Sequence, residues 1–213
     1  MDSSAAFSQR VAALDLAAHP EGGFYRRWYT AERQVHSSES EEPRAAGSSI
    51  LFALPQHGHS VWHKIASDEL WIWNAGLDLV LLTMDPAASL DSLQLHRLGH
   101  AGPWQAVAPA HHWMAAVPMA QLPQAVQAHV PPSSMQLHDD HTEAARAADA
   151  AGGTFVTCVV VPCFDWADFI MPDMDTVRGW CAGGHLDEAG SPTSWQAAAV
   201  LAAAPGTSNS PPA

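Results

Sequence analysis

An all-β sandwich or barrel is the fold class predicted for this chain, and three observations predict it. Short apolar or aromatic runs follow one another closely: Ser49 to Leu54, Ser60 to Ile65, Glu69 to Asn74, Leu77 to Met84, Leu93 to Leu98, Trp104 to Ala108 and Trp113 to Val117. Gly, Pro or Asp separates them, as turns require. The most apolar and β-branched run, Thr154 to Val161, comes late and reads as a further strand.

The remaining segments are justified in chain order. Phe7, Val11, Leu14 and Ala18 repeat at helical spacing, so a short N-terminal helix is expected. His19-Pro20-Glu21-Gly22-Gly23 ends it, because Pro and paired Gly break regular structure. Phe24 to Tyr29 is aromatic and reads as the first strand. Residues 30–47 are polar and are expected to form an exposed loop. The stretch of about residues 121–153 reads as a surface insertion, with a short helix inside it. Pro162 to Asp168 turns away from the last strand, and Asp173 to Cys181 suits a closing helix. The Ala- and Pro-rich end reads as a flexible tail. The expected division is one domain over residues 1–173, then a short helix and tail over 174–213.

Composition narrows the function. The chain has 213 residues, 47% of them apolar, which suits a globular domain. Nine Lys and Arg against 22 Asp and Glu give a formal charge of −13. No basic cluster is present, so nucleic acid is not an expected partner. No apolar stretch is long enough to span a bilayer, so no membrane partner is expected either. Three cysteines without a CxxC pair argue against a disulfide scaffold or a structural zinc site. With no basic and apolar leader at the start, a cytoplasmic location is the expectation.

The densest constellation of reactive residues is Ser60 to Gly76. His63 lies in one predicted strand, Ser60 to Ile65, and Glu69 begins the next. Residues two apart share a face of a strand, so Glu69, Trp71 and Trp73 point together. A carboxylate, an imidazole and two indoles on one wall suit a small ligand with a polar group and a flat or apolar face. The two Trp side chains equally suit core packing. Buried charge at His63 and Glu69 asks for a reason, and function supplies one.

Here a resemblance enters. His63, Glu69 and Gly76 match the spacing of the first cupin motif, and Gly102 to Trp113 is similar to the second. More narrowly, the chain resembles the cupin-5 or DUF985 group. The matching pieces are His19 to Tyr25, Trp62-His63-Lys64, Ser67 to Trp71, Gln105 to Pro109 with Trp113, and Pro162 to Phe169. They cover about residues 10 to 171 in the family's order. The resemblance implies an RmlC-like jelly-roll sandwich or barrel with a short N-terminal helix and peripheral helices, and a homodimer.

The chain departs from metal-binding cupins at two places. Ile65 and Met114 stand where further His ligands are expected, and neither binds a hard metal. No cofactor is therefore expected. A divalent metal is the alternative, held by His63 and Glu69, with His57, His59, His111 or His112 as substitutes. Those four are expected at loops or strand edges, in solvent. His111 replaces a Gly usual in the family's turn. Metal-free cupin epimerases of the nucleotide-sugar type pair a His with an Asp. The resemblance thus implies a catalytic set of His63, Glu69 and Asp168, with Trp71, Trp73, Gln105, Trp113 and Asp165 around a small-molecule ligand. The reaction expected is isomerisation or epimerisation of a sugar-like or carbonyl-bearing metabolite. The alternatives are a non-catalytic binding module and a metal-dependent cupin. His138-Asp139-Asp140-His141 reads as a solvated loop, and Cys158 as a small core residue.

Overall fold

Period-two alternation places the strands, and the side chains they turn inward and outward build a core between the sheets and packing on both outer faces. The computed structural model describes residues 3–37, 40–100, 102–132, 152–182 and 185–206. The strands are β1 (Ala17–Ala18), β2 (Phe24–Thr30), β3 (Gln34–Ser37), β4 (Ser40–Ala45), β5 (Ser48–Pro55), β6 (Ser60–His63), β7 (Asp68–Gly76), β8 (Leu79–Met84), β9 (Gln94–Leu98), β10 (Gln105–Ala108), β11 (Trp113–Pro118) and β12 (Gly153–Val161). The α-helices are α1 (Ser3–Ala13), α2 (Gln124–Gln127), α3 (Met174–Trp180) and α4 (Trp195–Ala202).

One sheet has six strands in the order β1-β2-β5-β12-β7-β10, and the other has four in the order β6-β11-β8-β9. Every pairing is antiparallel. The fold is the jelly-roll sandwich that the family resemblance implies. The β-branched run forms a strand, as expected, and it is an inner one: β12 lies between β5 and β7.

Between the sheets lie Phe52, Leu54, Trp71, Leu79, Leu81 and Met114, all buried. The outer face of the four-stranded sheet is also covered. Trp62, Val80, Leu82, Met84 and Trp113 point out from it onto Val126, Val177 and Val200. Both faces of β8 and β11 are therefore buried, which is why these strands read as unbroken apolar runs. α1 covers the outer face of the six-stranded sheet through Phe7 and Val11, against Ala53 and Phe155.

Three expectations are corrected. Residues 30–47 are not a loop throughout, because β3 and β4 form a two-stranded hairpin within them. The Ala-rich end is not a tail as far as residue 204. α4 is capped by Ser194, whose hydroxyl accepts from the Ala197 N–H, and Ala197, Ala199, Val200, Ala203 and Ala204 are fully buried. Trp62 Nε1 donates to the Val200 carbonyl at 2.8 Å, which ties this helix to β6. Small alanine side chains let the helix lie close to the sheet, and burial rather than exposure explains the composition. The start of the expected insertion is likewise packed, since Leu122, Val126 and Val130 are buried. Residues 133–151, with His138 to His141, lie outside the described residues.

Candidate functional site

The sequence His19-Pro20-Glu21-Gly22-Gly23 makes a tight loop that delivers a carboxylate into the barrel. The Gly22 N–H donates to the His19 carbonyl and the His19 N–H to the Gly23 carbonyl. Gly22 and Gly23 both have positive φ, at 105° and 69°. A Cβ at Gly23 would sit 2.5 Å from the Ala53 carbonyl oxygen, so only glycine fits this turn. The Val61 N–H donates to the Glu21 carbonyl and anchors the loop to β6.

The Glu21 side chain meets His63 at the floor of an interior cavity of about 190 Å³. Glu21 Oε2 lies 3.2 Å from His63 Nε2 and 3.5 Å from His19 Nδ1. The Ser60 hydroxyl donates to Glu21 Oε1 at 3.0 Å. Within hydrogen-bond reach of His63 Nδ1, at 2.8 Å, is the Val61 carbonyl, which can only accept. Nδ1 therefore carries the proton, and Nε2 offers a lone pair to Glu21.

Burial sets the charge states. It pushes the Glu21 carboxyl up to about 8, only partly offset by the Ser60 hydrogen bond. It also raises Glu69 to about 7, against the pull of His63. Desolvation lowers His63, opposed by Glu69 and by the Val61 hydrogen bond. His19 falls to about 3, first through burial and then through His63. At neutral pH the floor is thus a neutral acid, Glu21, donating to a neutral imidazole, His63, beside a carboxyl group, Glu69, near its midpoint. Burial drives the Cys158 thiol well up, helped by Glu69 and Glu21, and the thiol hydrogen-bonds Glu69.

The walls are aromatic. His19 stacks on Trp166 at 5.6 Å, and Phe169 tilts over His63 at 5.4 Å. Phe164 meets Trp166 edge-on at 4.9 Å. This segment is pinned by backbone bonds between Lys64 and Ile170 and by the Arg44–Asp168 ion pair.

Of the expected site residues, His63 and Glu69 line the cavity. The others lie elsewhere. Asp168 is engaged by Arg44 from β4, and Glu21 stands beside His63 in its place. Asp165 caps the short turn Trp166–Asp168 and is exposed. Trp71 packs edge-on against Phe52 at 5.7 Å within the core. Trp73 donates from Nε1 to the Leu77 carbonyl and meets His100 edge-on. Gln105 is exposed on β10. Trp113 points out of the barrel onto Trp180, because its neighbour Met114 points in. Cys158 is a cavity residue as well as a core one. His59 is buried rather than solvated. His111 adopts φ 64°, so the turn keeps the left-handed residue that Gly normally supplies.

The residues do not fit a metal as placed. Ile65 and Met114 are buried apolar side chains at the expected ligand positions. His57, His59, His111 and His112 do not line the cavity. Among the described residues, no three His, Cys, Asp or Glu side chains are placed to share an ion. Nor is any helix among them long and apolar enough to cross a membrane. All three cysteines are free thiols.

Two antiparallel sheets enclosing a polar-floored cavity define a cupin, and comparison with known proteins agrees. The chain belongs to the family described as cupin superfamily (DUF985), whose model matches residues 8–172. Among solved structures it is similar to a hypothetical protein from Leishmania major, with 22% identity and a TM-score of 0.59, over 81% of this chain and 90% of that one. A protein from Shewanella oneidensis is similar at 24% identity and a TM-score of 0.57, over 81% and 87%. These likenesses show the fold alone. No curated protein matches the chain. Family and cavity together make this a cupin with a small-molecule pocket, below the roughly 300–1,000 Å³ that drug-sized ligands occupy.

Proposed function

We propose that this cupin isomerises or epimerises a small carbonyl-bearing metabolite by proton transfer, without a metal. The observation that carries the reading is the Glu21–His63 contact, with the opposite ring nitrogen committed to Val61. Glu21 is the acid and gives its proton to the substrate carbonyl oxygen. His63 Nε2 is the base and takes a proton from the adjacent carbon, leaving an enol. The products of that step on the protein are a carboxylate and an imidazolium in contact, and Glu69 adds a second carboxyl group beside the cation. Returning a proton to the other face, or to the neighbouring carbon, gives the isomer and restores both groups. No electron is gained or lost overall.

The His19–Trp166 stack and Phe169 keep water from the enol. The test is proton NMR in D2O with a panel of ketoses, aldoses and keto acids. Exchange at the carbon next to the carbonyl is expected, and E21Q and H63N each reduce it about 100-fold or more. Saturable ligand binding with no exchange in the wild type would make the protein a binding module instead.

A further inference from the structure

We infer that Arg27 forms an anion subsite at the cavity mouth, so that the ligand carries a carboxylate or phosphate at the end remote from Glu21 and His63. The successive arginines of β2 are divided between its two faces. Arg26 points away from the cavity, where its guanidinium donates to the Leu14 carbonyl and lies 3.7 Å from Asp15. Arg27 points into the cavity. The register requires this: Arg27 pairs with Ile50, and Ile50 pairs with Cys158, so all three share one face.

Arg27 is the only Lys or Arg among the cavity-lining residues. No carboxylate among the described residues pairs with it. Its neighbours are soft: Cys163 Sγ at 3.5 Å and the Phe164 ring at 5.9 Å. A guanidinium held over a ring and beside a sulfur keeps most of its five donors for another partner. Arg27 lies two strand spacings, about 10 Å, from Cys158, which hydrogen-bonds Glu69. The cavity therefore has a fixed cation at its mouth and neutral or acidic groups at its floor. A formal charge of −13 would repel anions from the surface generally, which makes one cation at this mouth selective. The complementary ligand is a small anion whose carbonyl sits at the floor, such as a keto acid or a sugar phosphate.

This inference rests on the proposed reaction only for the choice of cavity. Its test is calorimetric titration of the full chain with inorganic phosphate, pyruvate and neutral dihydroxyacetone, alongside R27Q, R27K and, on the other face of β2, R26Q. One of the two anions is expected to bind saturably, phosphate marking a phosphorylated ligand and pyruvate a carboxylate. R27Q weakens that binding about tenfold or more, R27K weakens it less, and R26Q leaves it within about twofold. Arg27 is exposed on one side, so the variants fold, which circular dichroism checks. The inference is overturned if neither anion binds at tens of millimolar, or if R27Q binds as the wild type does. Pyruvate methyl exchange in D2O is followed in the same samples. Anion binding without exchange counts against the proton-transfer reading and leaves the Arg27 subsite standing.

Discussion

His63 Nε2 and Glu21 Oε2 stand 3.2 Å apart at the cavity floor, with no free choice of tautomer on the histidine. The Val61 carbonyl accepts a hydrogen bond from the Nδ1–H, so the proton between the two side chains belongs to Glu21 at neutral pH. A carboxyl group in the unfolded chain would already be ionised there. Folding therefore stores a proton at the site, and this has consequences for stability as well as for chemistry.

Stability falls as pH rises from about 6.5 to about 8. Glu21 is raised from 4.5 to about 8 and Glu69 from 4.5 to about 7, so the folded state holds protons that the unfolded state has lost. Their stabilisation is complete below 4.5 and is lost as pH climbs through the folded values. His19 has the opposite sign. Lowered from 6.5 to about 3, it contributes stability above 6.5 that is lost as pH falls. Between 4.5 and 6.5 the carboxyls and histidines oppose one another, and above 6.5 only the carboxyls remain. The expected slope there is on the order of 1 kcal/mol per pH unit per group. Thermal unfolding across this range checks it, and E21Q flattens the slope.

Because Arg44 engages Asp168, D168N is expected to disturb positioning and not proton transfer. D168N frees Arg44 from the segment that carries Trp166 and Phe169, so ligand affinity and KM suffer while the pH profile of turnover keeps its shape. The cost to stability is about 1.5–3 kcal/mol, the range for hydrogen bonds to charged groups. H63N removes turnover with a smaller change in ligand affinity. A pH–rate profile and a binding isotherm for each variant separate the two roles.

The C-terminal helix is part of the folded unit. W62F removes the Nε1 bond to the Val200 carbonyl, which keeps only the Ala203 N–H, and truncates a fully buried ring. The expected loss is about 2 kcal/mol, or roughly 4–8 °C in Tm. Deleting residues from 195 onward strips Val200 and its alanine neighbours off Trp62 and Val80, and should cost more than the point change. Differential scanning calorimetry of both variants decides.

Metal content should not track activity. Dialysis against EDTA is expected to leave proton exchange unchanged. Elemental mass spectrometry showing stoichiometric Fe, Mn, Ni or Zn that disappears in H63A would contradict this.

The strands were legible because one or both faces of each carry apolar side chains, and period two is visible in β5, β7 and β12. The hairpin β3–β4 was not, because its strands are mostly polar, include Pro43, and pair only with each other. α4 escaped notice because a helix that packs through Ala looks like low complexity. Trp113 was placed on the wrong side for a related reason: with both faces of β11 buried, alternation gives no direction. His63 and Glu69 were readable from the cupin spacing. Their partner Glu21 was not, because its position depends on two glycines with positive φ and on a tie to Val61 across the chain. The glycine pair after a carboxylate was the available signal. Asp168 had the right chemistry for a dyad, but Arg44 holds it.

The most direct test of the Glu21–His63 acid–base pair is long-range proton–nitrogen NMR of the histidine side chains, from mildly acid to mildly alkaline pH, in wild type and E21Q. His63 is expected to show the neutral Nδ1–H tautomer at pH 7, with a titration near 8 sensed at Nε2 that disappears in E21Q. A His63 that is an imidazolium or an Nε2–H tautomer at neutral pH, or one whose spectrum is unchanged by E21Q, would contradict it.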